Sequence, residues 1–99
     1  MPVLHTVNTL NDRYAALRDC ILTLEENDAV VFMEEAAENP DIPHLPDYQK
    51  LLTCQCAIYV LPFEDNPHFQ AKLGDTIRVL SYNEFVDLCC RFPTIQNWY

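Results

Sequence analysis

The residues of this chain best suited to chemistry are its five cysteines, Cys20, Cys54, Cys56, Cys89 and Cys90. A thiolate attacks a sulfur donor and becomes a persulfide, whose outer sulfur the next acceptor removes. That chemistry needs an accessible thiol and is helped by a lowered pKa. Cys20 closes the opening stretch Val3–Cys20, which reads as a short strand, a polar turn and a helix. At about 100° per residue it lies about 70° from the centre of the face made by Tyr14, Leu17, Ile21 and Leu24. Spacing alone makes it a semi-buried small residue on a helix flank. Cys54-x-Cys56 puts two thiols on one face of an extended segment, and Cys89-Cys90 offers two more. Zinc sites usually space paired thiolates by two to four residues, and only one of two adjacent helical cysteines can face a sheet. Core packing is therefore the expected role of these four, with no metal.

Other chemistry finds little support. His5, His44 and His68 share no metal-binding or nucleophile–base spacing. Gly74 is the only glycine, so a phosphate-cradling loop in its usual form is absent, and no cofactor is expected. Glu34-Glu35 follow the second strand, where α/β proteins often place functional groups, although acids at a solvated helix start explain them as well. Trp98 and Tyr99 are large aromatics in a tail after Pro93, expected to dock on this domain or on another subunit.

The elements that would position these groups alternate. Val3–Val7, Ala29–Met33, Cys56–Leu61 and Thr76–Leu80 are short apolar runs of the kind covered on both faces. Helices are expected from an N-cap at Asn11 or Asp12, from Pro46 through Leu52, over His68 to Leu73 and over Tyr82 to Phe92. The last carries a capping box, Ser81 with Glu84, and an apolar face of Phe85, Leu88 and Cys89. Pro40, Pro43 and Pro46 mark a loop, Gly74 a helix end, and Thr94–Tyr99 a tail. The pattern implies one α/β domain over residues 1–99: three layers, α/β/α, around a mainly parallel sheet of four to five strands.

Ninety-nine residues with 49% hydrophobic composition suffice for one core. A net charge of −9 disfavours direct nucleic-acid binding and suits a basic protein partner. No apolar run is long enough for a membrane span, no signal segment is visible, and an odd number of cysteines argues against a disulfide framework. A cytoplasmic location is expected.

Four segments resemble the DsrH/TusB family: Leu4-His5-Thr6-Val7-Asn8, Ile58-Tyr59-Val60-Leu61, Ser81-Tyr82-Asn83-Glu84-Phe85-Val86-Asp87-Leu88 and Ile95-Gln96-Asn97-Trp98. They occur in the family's order and span the chain. The resemblance implies a DsrE-like α/β subunit of a sulfur-relay complex. Such subunits assemble with DsrE/TusD-like and DsrF/TusC-like partners into a dimer of heterotrimers. The complex passes persulfide sulfur towards wobble 2-thiouridine of tRNA or serves dissimilatory sulfur oxidation, and a basic sulfur-carrier protein is a further expected partner. The main sulfur-carrying cysteine of the family belongs to the DsrE/TusD-like subunit. Cys20 matches a first-helix cysteine of DsrH-type members, which implies an accessory persulfide carrier. Tyr82, Phe85, Trp98 and Tyr99 are the expected interface residues. The alternative is a purely architectural subunit with inert cysteines. Glu34-Glu35 stand where the family commonly has Asp-Gly.

Overall fold

The computed structural model describes residues 2–38, 48–54, 56–62 and 76–98, with the side chains of 11–14 left out. The proline loop, the expected helix over His68 to Leu73, Gly74 and Tyr99 lie outside the described residues. Five strands are seen: β1 (Val3–Val7), β2 (Ala29–Met33), β3 (Ala57–Leu61), β4 (Ile77–Val79) and β5 (Thr94–Trp98). They form one all-parallel sheet in the order β4-β3-β2-β1-β5. Helices α1 (Asn11–Thr23), α2 (Tyr48–Thr53) and α3 (Tyr82–Arg91) connect them, with a 3-10 turn over Glu34–Glu38. The fold is α/β, as the alternation of apolar runs and helical spacings implies. Among the described residues no helix is long and apolar enough to cross a membrane.

The order of the strands decides which helix covers which face. The chain steps from β1 to β4 in one direction, then returns past its starting strand to lay β5 on the far side of β1. Crossovers of one hand put the first helices on one face and the returning helix on the other. The core divides accordingly. Leu17 and Cys20 of α1, Ala36 and Ala37 of the 3-10 turn, and Tyr48 and Leu51 of α2 pack with Val7, Val30, Phe32, Val60 and Ile77. On the opposite face Leu88 packs with Leu4, Ala29, Val31 and Leu80, flanked by partly buried Tyr59, Phe85, Cys89 and Phe92.

Local signals explain most boundaries. Ser81 Oγ accepts the Glu84 amide while the Glu84 carboxylate accepts the Ser81 amide, which completes the capping box and starts α3. At α1 the expected cap is displaced. The helix already includes Asn11, and Leu10 occupies the N-cap position with no side-chain cap bond. The larger correction concerns the tail. Thr94–Trp98 is a strand paired in register with the whole of β1, from Val3↔Thr94 to Val7↔Trp98. An edge strand with one solvated face needs little hydrophobic pattern, because its main-chain hydrogen bonds to β1 hold it.

Candidate functional site

Cys20 points into the core from α1 and is fully buried, in one cluster with Leu51 and Tyr48 of α2. A flank position on the wheel is fully buried here, within the core cluster that also holds side chains of the sheet and of α2. Burial, reinforced by Cys56, Asp28 and Cys54, pushes the Cys20 thiol up to about 12. Its thiolate fraction at neutral pH is then on the order of 10⁻⁵. Cys56 is likewise raised, to about 11, by burial and by Cys54 and Asp28. Its thiol donates to the carbonyl oxygens of Glu25 and Cys54, at 3.3 and 3.5 Å. Cys89 is half-buried under α3 and raised by burial, while Cys90 is exposed. All five are free thiols. Among the described residues no group of three or more His, Cys, Asp and Glu side chains is arranged to hold a metal ion.

A second polar group lies near the amino ends of the strands. Asp28 immediately precedes β2, and the pairing of Leu4 with Ala29 brings it beside Val3. Its Oδ1 accepts the Val3 amide at 2.8 Å, and its Oδ2 accepts the Glu25 amide at 3.1 Å and meets His5 Nε2 at 2.9 Å. On the other side of the ring, Trp98 Nε1–H donates to His5 Nδ1 at 3.1 Å. The indole can only donate, so Nδ1 is the acceptor and Nε2 carries the hydrogen shared with Asp28. Burial alone would raise the Asp28 carboxyl, but the Val3, His5 and Glu25 hydrogen bonds outweigh it and hold it below the ordinary range. Both nitrogens of His5 are thus engaged, and the ring is 3% exposed. This chain of hydrogen bonds ties β5, β1 and β2 together; it leaves no free base. Trp98, expected as a docking aromatic, spends its N–H here and packs on its own core.

At the opposite, carboxyl ends of β2, β3 and β4 a crevice of about 580 Å³ opens. The chain leaving β2 turns to one face and the chain leaving β4 to the other. Met33, Leu61, Val79 and Leu80 give it apolar walls, with Glu34, Ser81, Tyr82 and Glu84 at the polar margin. The amino end of α3 is already satisfied by Glu84, whose carboxyl is lowered chiefly by the Ser81 amide, with Arg78 also contributing. The crevice therefore offers carboxylates and apolar walls rather than an anion cradle. Glu34 sits in left-handed backbone, φ 54°, which costs a non-glycine residue on the order of 1 kcal/mol. The sequence marks only Glu34 at its margin, since the walls come from three strand ends far apart in the chain.

The expected interface residues separate. Phe85 faces the sheet from α3, whereas Tyr82 is 72% exposed and Val86 44% exposed. With exposed Cys90, they stand at i, i+4 and i+8 on the outward flank of one helix. Arg78, Glu84, Asp87 and Arg91 gather on the other flank, towards β4. Ile95 of β5, on the same side of the sheet as α3, is 43% exposed. Neither a protein-family model nor a curated protein sequence matches the chain.

Proposed function

We propose that the chain is a protein-binding subunit of a hetero-oligomeric sulfur-relay assembly of the DsrH/TusB kind, and that its contribution is architectural. The sulfur-relay assignment rests on the four sequence segments that resemble that family. One observation carries the architectural role: the thiol best placed by sequence is sealed in the core, while Tyr82 and Val86 present apolar surface on α3. For Cys20 to carry sulfur, its thiolate must attack the outer sulfur of a donor persulfide and release the donor thiolate. A buried group with a pKa of about 12 offers neither the anion nor the access. An exposed aromatic and aliphatic pair on one helix flank is the kind of anchor that protein interfaces use. The net charge of −9 suits basic partners, and the assembly's persulfide cysteine then belongs to a neighbouring subunit.

The test is a reconstitution with purified DsrE/TusD-like and DsrF/TusC-like subunits. The wild-type chain is expected to enter a complex from which Tyr82→Ser with Val86→Ser is lost, while Cys20→Ser assembles and supports sulfur transfer normally. Intact-mass measurement after exposure to a cysteine desulfurase and cysteine is expected to show no gain of about 32 Da on Cys20. A persulfide on Cys20 of the folded protein would overturn the architectural role. Failure to bind either subunit would overturn the assignment to the relay.

A further inference from the structure

The sheet has two edges, and they are protected very differently. β4 is three residues long, and its Arg78 is paired with Glu84 of α3. Shortness and a charge are standard devices that stop an edge from pairing with other chains. β5 has neither. Thr94-Ile95-Gln96-Asn97-Trp98 contains no charged residue, no proline and no bulge against β1, and its burial pattern is exposed at four of five positions. Its neighbour β1, Val3-Leu4-His5-Thr6-Val7, also has no Asp, Glu, Lys or Arg. In a chain of net charge −9, this side of the sheet is where two copies can approach with the least repulsion.

The hydrogen-bond directions are fixed. Asn8 N–H donates to the Trp98 carbonyl across the β1–β5 pair, so the main-chain groups of Thr94, Gln96 and Trp98 point to β1. Those of Ile95 and Asn97 then point outward. Among the described residues the Asn97 carbonyl is met there by its neighbour's side chain, Gln96 Nε2 at 3.3 Å. We propose that β5 pairs with β5 of a second copy of this chain, antiparallel about a two-fold axis at Gln96. In that register Ile95 faces Asn97 of the second copy and exchanges both main-chain hydrogen bonds with it. The symmetric pair does the same, giving about four bonds in all. Gln96 faces its own copy as the close, non-hydrogen-bonded pair. The sheets join into one, and the two α3 flanks remain open. The pairing is independent of the sulfur-relay reading.

A five-residue edge buries less than the ~1,000 Å² of a permanent interface, so the dimer forms at roughly tens to hundreds of micromolar. Sedimentation of the wild-type chain across that range is expected to show a reversible monomer–dimer equilibrium. Ile95→Lys, which supplies the missing edge charge, is expected to weaken it about tenfold or more. Directly opposed close-pair residues stand about 4.5 Å apart at Cα, within disulfide reach. In a Cys90→Ser background, Gln96→Cys is therefore expected to cross-link rapidly under diamide, and the exposed helix control Val86→Cys is not. A chain that stays monomeric to about 1 mM, or equal cross-linking of both cysteine variants, overturns the proposal. So does a monomer whose Ile95 and Asn97 amides gain exchange protection only with a different protein bound.

Discussion

On one face of the sheet Val7, Val30, Phe32, Val60 and Ile77 lie completely buried beneath α1, the 3-10 turn and α2. On the other, α3 is the one described helix, and Tyr59, Phe85 and Phe92 remain partly exposed around a smaller buried group. The same strands build both faces, so the difference is one of cover. The first face of the sheet is covered within the chain, although Leu22 of α1 and Leu52 of α2 are exposed on the covering helices. The second keeps apolar surface at Tyr82, Val86 and Ile95; its α3 flank is proposed to dock partner subunits, and the adjoining β5 edge a second copy of this chain. On these proposals, association falls on the side of the sheet opposite the one that buries Cys20.

Matched truncations give the largest test of this division. Phe32→Ala is expected to cost about 3–5 kcal/mol, because a fully enclosed ring leaves a cavity its surroundings cannot fill. Leu88→Ala, on the second face, is expected to cost nearer 2–3 kcal/mol, since α3 can settle towards the sheet. Denaturant midpoints of the two variants measure the contrast, and equal losses would break it. Next in size is Asp28→Asn, expected to cost about 2–4 kcal/mol by disturbing one buried and two part-buried hydrogen bonds. The Asp28 carboxyl is held below its ordinary value in the fold, so the unfolded chain takes up the proton first as pH falls. Its stabilisation is complete above the unfolded carboxyl value of about 3.9 and is lost as pH falls through the folded one. Acid titration of stability should therefore lose part of its slope in that window in Asp28→Asn and keep it in Leu88→Ala. The smallest effect is Ser81→Ala, about 1 kcal/mol from the lost cap. It is read as a fall of several degrees in melting temperature, with unfolding still cooperative.

Much of the first face is legible in the residues. Val3–Val7 and Ala29–Met33 are apolar runs closed by polar turn residues, and the structure places both strands at those bounds. The capping box could be read three residues apart for the same reason: it is local chemistry. What escapes the sequence is long-range. β5 has no alternating pattern because four of its five side chains meet solvent, and only its pairing with β1 makes it a strand. The burial of Cys20 comes from the cluster it joins with the sheet and α2, which no single-helix wheel contains. The His5–Asp28–Trp98 chain had a faint signal, an acid directly before a strand that pairs with the strand bearing the histidine. The tryptophan that completes it is 93 positions away from His5. The crevice has no signal beyond Glu34 at its margin, being the space left between strand ends.

The position of β5 also sets the order of events when the chain folds. β1, β2, β3 and β4 are added as neighbours in sequence, but β1 acquires its second partner only when Asn97 and its neighbours reach Thr6, 91 residues away. Closing so long a loop is entropically costly, so β5 is expected to dock on β1 late in folding. Until β5 docks, the edge of β1, which carries no Asp, Glu, Lys or Arg, is open to pairing with other chains. The same step runs backwards first in the native protein. The amides of Gln96 and Trp98 should exchange with solvent through a partial opening that leaves the β2–β3 ladder protected.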